Sequence, residues 1–214
     1  IAGLDSAQMQ ALTSDQLNQL DRSQVRALSS DQINYLTSTQ LQAWETADIR
    51  QLSAAQLTGM ESDQFALLTT DQVQALDARV IDDLTIDQIE GMETEDLVAL
   101  SASQMKRFTS AQIDLMSTDQ IAALTTEQIS QLTRTQITGL NADQVAAMTT
   151  DQVGAITSRQ INYFSSDQIV EMSSEQLQAL STTNIARLSG STINALESDQ
   201  VRALSTDQIQ ALSN

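Results

Sequence analysis

Acidic side chains supply most of the chemistry available to this chain. Its 214 residues carry 28 Asp and Glu against 10 Lys and Arg, a formal net charge of −18, and they include no histidine and no cysteine. Because no imidazole or thiol can activate the many serine hydroxyls, we expect no enzyme activity. The same residue types that are missing are the usual ligands of zinc and haem. The sequence therefore predicts no cofactor.

One acidic cluster has residue types that could bind a cation. Asp77, Asp82 and Asp83 lie in residues 77–84, the segment that departs most from the pattern of the rest of the chain. Carboxylate oxygens are ligands that Ca²⁺ prefers. A diverged repeat with a solvated surface explains the same residues without a metal, and we favour that interpretation. Adjacent Asp82 and Asp83 would point about 100° apart on a helix, which does not suit a facing acid–base pair.

The elements that must position these residues come from an eight-residue repeat that runs from Leu4 to Leu212 without insertion or deletion. We label its positions a to h, so that in residues 13–20 Thr13 is b, Gln16 is e, Leu17 is f and Leu20 is a. Positions a and f are apolar throughout, position b is nearly always Ser, Thr, Asp or Asn, and position e is Gln in 21 of 26 repeats. Position h is often Ala or Gly, which would let neighbouring elements approach closely.

This spacing excludes most regular structures. Apolar residues five and three apart fall on both faces of a β-strand, which argues against a β-solenoid. In one continuous helix, eight residues at 100° each would rotate the apolar pair by about 80° per repeat, so no partner could follow it. A coiled coil needs spacings of three and four, which the chain lacks.

The remaining interpretation starts a new helix in every repeat. Ser/Thr-x-x-Gln is the capping-box pattern, in which residue b caps the helix and Gln at e returns to the backbone of b. Each repeat therefore predicts one helix of about two turns that ends near position a. Representative predicted capping pairs are Thr13 and Gln16, Ser29 and Gln32, Thr125 and Gln128, Thr149 and Gln152, and Ser205 and Gln208.

Helices this short are unstable alone and must stack. The sequence predicts an all-α fold, a superhelical α-solenoid of about 26 repeats over residues 1–214, and we expect this array to be part of a longer one. With helices about 10 Å across, it would form a rod roughly 70–90 Å long. Large residues at position a recur every seven repeats, as at Phe108 and Phe164. Either seven repeats complete a whole number of turns, or a 56-residue block has been duplicated.

Charge and hydropathy restrict the partners. A chain this acidic repels phosphate backbones and anionic lipid surfaces, and none of its apolar runs approaches the ~20 residues needed to span a bilayer. We expect no nucleic-acid partner and no membrane insertion.

The repeats at 68–76 and 124–132 resemble the "ALTTxQIxAL" octad tracts of very large bacterial secreted and surface proteins, which include adhesins, haem-utilisation or adhesion proteins and RTX-like proteins. The resemblance covers essentially the whole chain. It implies an extracellular, cell-surface location and the role of a stalk.

From the resemblance and the repeat together we predict a structural spacer, stalk or filament segment without catalysis. Its partners would be neighbouring repeats or copies of itself end to end. The alternative is a binding module whose regular hydroxyl or acidic face contacts a glycan on a cell surface, ice or calcium.

Overall fold

A computed structural model describes residues 1–212, and all regular secondary structure in that range is helical. The all-α repeat fold is confirmed, with one short helix per octad. Its internal contacts divide the chain into two compact units, Ile1–Arg107 and Phe108–Asn214, here called unit 1 and unit 2.

Unit 1 consists of twelve short α-helices and one 3-10 helix. The 3-10 helix, Ala78–Asp83, lies between α9 and α10. The α-helices are α1 (Ser6–Ala11), α2 (Ser14–Asn18), α3 (Arg22–Ala27), α4 (Ser30–Asn34), α5 (Ser38–Gln42), α6 (Thr46–Ile49), α7 (Ala54–Thr58), α8 (Ser62–Phe65), α9 (Thr70–Ala75), α10 (Ile86–Glu90), α11 (Thr94–Ala99) and α12 (Ala102–Met105).

Unit 2 repeats this composition within its described residues. Its 3-10 helix, Gln160–Tyr163, lies between α18 and α19. The α-helices are α13 (Ser110–Leu115), α14 (Thr118–Ala123), α15 (Thr126–Gln131), α16 (Arg134–Gly139), α17 (Ala142–Ala147), α18 (Thr150–Gly154), α19 (Ser166–Val170), α20 (Ser174–Ala179), α21 (Thr182–Ile185), α22 (Gly190–Ala195), α23 (Ser198–Ala203) and α24 (Thr206–Ala211).

Where helices have the full six residues of the regular repeats, two extended residues separate one helix from the next. In the repeat that contains α15, Thr125 at position b has φ −70° and ψ 155°, and Leu132 at position a has φ −55° and ψ 133°. The Leu132 N–H donates to the Ile129 carbonyl at 3.1 Å and closes the helix. No residue in the described range has a positive φ. The corner therefore needs no glycine, which explains how a chain with only six glycines can turn after every helix.

Positions a and f form the core of each unit. Ile129 at f is 2% exposed and Leu132 at a is 6% exposed. Even the largest side chain at position a, Trp44, is buried. Position f becomes exposed only in the last repeats, where Val201 and Ile209 are 40% and 43% exposed, because no following turn covers them in this structure.

Each turn of the solenoid takes about three and a half repeats. Helices three repeats apart pack together within each unit, as α6 does with α9 and α13 with α16. Side-chain hydrogen bonds join residues 28 and 31 positions apart, which reach four repeats back. Twenty-eight residues are three and a half octads, so 56 residues make two turns. Phe108 and Phe164 in unit 2 therefore lie two whole turns apart, as the geometric explanation of their recurrence requires.

Small residues at position h do allow close approach between turns. A Cβ atom added to Gly139 would lie 2.6 Å from the Ser110 carbonyl oxygen, and one added to Gly59 would lie 2.4 Å from Ser30 Cβ. Both distances are shorter than non-bonded atoms tolerate. Glycine is therefore required at these two positions by packing rather than by backbone conformation.

Of the helices in residues 1–212, none has both the length and the apolar character that crossing a membrane requires.

Candidate functional site

The capping residues of each repeat hold the start of its helix through two hydrogen bonds. The Thr125 N–H donates to Gln128 Oε1 at 2.9 Å, and the Gln128 N–H donates to Thr125 Oγ1 at 3.1 Å. Both groups would otherwise be unpaired backbone donors at a helix N-terminus. The structure gives the same two bonds to the other representative pairs: Thr13 and Gln16, Ser29 and Gln32, Thr149 and Gln152, and Ser205 and Gln208.

The same glutamine makes a second contact that the sequence analysis missed. Gln144 Nε2 donates to the carbonyl oxygens of Ile113 and Met116, each at 2.7 Å. These acceptors are positions f and a of the repeat four octads earlier, on the preceding turn. We call this contact the glutamine tie.

Glutamine ties recur along both units. Nε2 bonds to the preceding turn are made by Gln32, Gln40, Gln56, Gln72, Gln88 and Gln104 in unit 1, and by Gln136, Gln144, Gln152, Gln160, Gln168, Gln176, Gln200 and Gln208 in unit 2.

The tie pairs polar groups that would otherwise be buried without partners. The Met116 carbonyl lies just beyond the end of α13 and faces the next turn, and the Ile113 carbonyl accepts from the Met116 N–H at 3.2 Å and has a second lone pair for Gln144. Gln144 is 1% exposed, so its amide also needs partners. Its Oε1 accepts from the Asn141 N–H at 3.0 Å, and its Nε2 uses both hydrogens on the two carbonyl groups.

The signal for the tie was present in the sequence. A capping box works with Glu as well as Gln at its fourth position, and the helix dipole favours the negative charge of Glu near an N-terminus. Yet none of the 26 residues at position e is Glu. A carboxylate can accept from the capping backbone but cannot donate to a carbonyl group. The exclusion of Glu therefore marks a donor requirement at position e.

Asn184 demonstrates why the side chain must have the length of glutamine. It occupies position e, and its Nδ2 donates to the Ile156 carbonyl at 2.7 Å, 28 residues earlier. Its Oδ1, however, is buried without a hydrogen-bond partner. With one methylene fewer than glutamine, asparagine reaches the preceding turn but does not complete the capping box.

Comparison with family models identifies the family to which these repeats belong. The model described as the ALTTAQ repeat matches residues 41–78, 89–126 and 183–214, which together make up just over half of the chain. The chain belongs to the ALTTAQ repeat family. A comparison with curated proteins finds no match.

Some ALTTAQ repeats of unit 1 have Glu at position b, and these lack the usual cap. The side chains of Glu45, Glu61 and Glu93 make no capping hydrogen bond. At Glu61 a residue of the preceding turn substitutes, because Asn34 Oδ1 accepts from the Glu61 N–H at 3.0 Å. Gln64 Oε1, which would accept this N–H in a regular ALTTAQ repeat, is buried without a partner.

Two of these three repeats also have Asp at position e, since Asp48 follows Glu45 and Asp96 follows Glu93 in the same octad. Asp96 is only 7% exposed, and its burial raises the pKa of its carboxyl group, to which the charges of Glu93 and Glu95 add, while a hydrogen bond from Thr70 opposes the shift. Burial likewise raises the pKa of Asp48, with a smaller contribution from Glu45. An ionised carboxylate has no proton to donate, so neither repeat can form a glutamine tie.

The acidic cluster of residues 77–84 is largely neutralised by arginine. Arg79 donates to both carboxylate oxygens of Asp77 and holds the pKa of Asp77 at about 2. Arg107 Nη2 lies 2.6 Å from Asp82 Oδ2 and lowers the pKa of Asp82. Asp83 joins neither pair. No three His, Cys, Asp or Glu side chains in the described part of the chain are arranged to hold a metal ion.

This cluster lies in a repeat without a capping box. Position e is Val80, which is buried and can neither accept nor donate a hydrogen bond. The cap is instead Asp77, whose Oδ1 accepts from the Arg79 N–H at 3.0 Å. The shorter reach of this cap accompanies the tighter 3-10 winding of Ala78–Asp83.

Proposed function

We propose that this chain is a structural spacer, a non-catalytic segment whose role is to hold two points apart. One observation carries the proposal: the glutamine tie recurs along both units, and it joins each turn to the turn before through backbone atoms that every repeat has. A contact between side chain and backbone does not depend on neighbouring side-chain identities. Repeats can therefore be added or removed without redesigning a site.

The distribution of variable positions supports the same role. The residues that recur at a, b, e and f are buried, cap a helix or join turns, whereas positions c, d and g vary and are mostly solvent-exposed. A module that recognises one ligand through a repeated face would need constant residues on that face. The spacer requires only that exposed residues remain polar.

A bacterial surface location is part of this proposal. It is supported by the likeness of the repeats at 68–76 and 124–132 to octad tracts of very large secreted and surface proteins, among them adhesins. Antibody labelling of intact cells of the producing bacterium tests it. Labelling only after permeabilisation would contradict the surface location without affecting the spacer role.

Changing the number of repeats tests the spacer role directly. A duplicate of residues 109–164 inserted after Phe164 adds seven repeats, or two turns, and keeps the octad phase. If turns stack about 10 Å apart, the maximum dimension in small-angle scattering should increase by about 20 Å. A control insertion of four residues after Phe164 shifts all later positions by half an octad relative to the preceding turn. This insertion should unfold the neighbouring repeats. An unchanged maximum dimension after the 56-residue insertion would contradict a spacer.

A further inference from the structure

Arginine occurs at position d in only two repeats, and both are exceptional. Position d is Asp or Glu in many repeats, but it is Arg79 in unit 1 and Arg159 in unit 2. These are the two repeats that form 3-10 helices, Ala78–Asp83 and Gln160–Tyr163. A cation at the start of a helix opposes the helix dipole, so helix stability does not explain this placement.

In unit 2 this arginine lines a groove between successive turns. The groove encloses about 350 Å³, a volume within the range of small-ligand sites. Its lining includes Arg134, Arg159 and Tyr163, and none of its lining residues is acidic. Glu127 belongs to α15, which contributes to one wall, and its carboxylate accepts a hydrogen bond from Gln131 at 3.3 Å.

One neutral side chain holds both guanidinium groups of the groove. The Arg134 guanidinium lies 5.6 Å from the centroid of the Tyr163 ring, a cation–π distance. Arg159 Nε donates to the Tyr163 hydroxyl at 2.8 Å. Neither arginine is in the ion pairs found among the described residues. Two like charges are thus gathered without a counter-charge, in a chain that has 28 carboxylates to offer.

In the groove beside the 3-10 helix of unit 1, the arginine at position d is paired with a carboxylate. That groove, of about 470 Å³, includes Arg26, Arg50 and Arg79, but Asp77 also lines it and occupies Arg79. The b residue of the corresponding repeat in unit 2 is Thr157, which carries no charge. Arg159 therefore keeps its two terminal nitrogens available where Arg79 does not.

We propose that the groove formed by Arg134, Arg159 and Tyr163 binds an oxyanion, the phosphate or carboxylate group of a ligand, between the two guanidinium groups. Planar guanidinium groups bind both kinds of group through paired N–H donors. Tyr163 is a positioning residue that orients both arginines. This site goes beyond the spacer role, because it gives one place in the array a specific ligand.

The test follows the arginine Nε–Hε signals of the whole chain by NMR while inorganic phosphate is added, with citrate as the carboxylate arm and chloride at matched ionic strength as the control. The signals of Arg134 and Arg159 should shift saturably, with a dissociation constant on the order of 1 mM for an open site of this kind. The stronger arm identifies the preferred group. Arg202, which is paired with Asp199 in the same unit, should follow ionic strength alone.

Matched variants distinguish a site from general charge attraction. Arg159→Gln and Arg134→Gln should each weaken binding at least tenfold. Arg202→Gln, which removes the same charge elsewhere in unit 2, should leave binding unchanged. Tyr163→Phe keeps the ring and removes only the hydroxyl that orients Arg159, so it should weaken binding relative to the unchanged chain, and it carries the test if the arginine variants fail to fold. Parallel shifts of all arginine signals, equal effects of chloride, or equal losses in Arg202→Gln and Arg159→Gln would overturn the proposal.

Discussion

Two stretches of the molecule share the octad pattern but differ in how many of their repeats have a complete capping box. In unit 2, the six consecutive helices α13 to α18 all begin with a complete capping box. In residues 45–96 of unit 1, three Glu residues at position b make no capping bond, and position e is Asp48, Val80 or Asp96 in three repeats. Both stretches nevertheless bury positions a and f.

The comparison separates two contributions to the fold. The apolar core is nearly the same in both stretches, since Ile49 and Ile129 at position f are 1% and 2% exposed. The polar contacts differ between the two stretches, and the capping box and the glutamine tie are lost together in residues 45–96. One glutamine completes the box and joins the preceding turn, so the repeats with Asp48, Val80 or Asp96 in its place lack both contacts. Burial of the apolar core therefore makes the repeats stack. The glutamine determines how strongly each repeat is attached to the preceding turn.

The largest expected effect comes from the shared core. Ile129→Asp places a charge in a site with no polar partner and should lower the free energy of unfolding by at least about 4 kcal/mol. Ile49→Asp should cost about as much, because the core does not differ between the stretches. Ile209→Asp is the control, since Ile209 is 43% exposed, and should change little. Urea unfolding followed by hydrogen exchange measures all three. A much smaller cost at Ile49 would mean that the core of residues 45–96 is looser than its burial indicates.

Restoring glutamine in the irregular stretch should stabilise it. Gln in place of Asp96 can accept from the Glu93 N–H and donate to carbonyl groups 28 and 31 residues earlier, and we expect a gain of about 1–2 kcal/mol at pH 7. Asp15→Gln is the control, because Asp15 is exposed at position d and faces no preceding turn.

The gain at Asp96 should depend on pH in a defined direction. Burial raises the pKa of Asp96, so its carboxyl favours the folded state most when it is protonated, and that contribution is lost as the pH rises through the folded-state pKa. The advantage of Asp96→Gln should therefore be larger at pH 7 than at pH 4. An advantage that grows towards pH 4 would show that the ionised carboxylate is well accommodated in the folded chain.

The smallest expected effect comes from removing a capping side chain, and it is measured against a repeat whose position b makes no capping bond. Thr125→Ala removes the acceptor of the Gln128 N–H and should cost about 1 kcal/mol. Glu93→Ala removes a side chain that makes no capping bond and should be close to neutral. Local hydrogen exchange of the amides at the start of α15 and α11 reports both changes. Equal effects would indicate that the cap contributes nothing beyond helix propensity.

Local structure could be predicted from the sequence, and the longer-range geometry could not. Apolar spacings of five and three, with Ser or Thr three residues before Gln, require a helix in every octad. The number of repeats per turn depends on the angle between successive helices, which the extended residues such as Thr125 and Leu132 set jointly, and no single position encodes it. The tie to Ile113 and Met116 becomes visible only when that angle is known, although the absence of Glu at position e already indicated a donor.

The measurement that tests the central claim most directly compares one isosteric substitution at two glutamines. Gln144 forms both the box and the tie, whereas Gln16 forms the box and is solvent-exposed, with no turn before it in this structure. Glu at either position can still accept from the capping backbone, but it cannot donate to the carbonyl groups of a preceding turn. Gln144→Glu should lower the free energy of unfolding at pH 7 by about 3 kcal/mol, and Gln16→Glu should change it by less than about 0.5 kcal/mol. Equal effects at the two positions would contradict the account, since they would show that glutamine serves each repeat only as a cap.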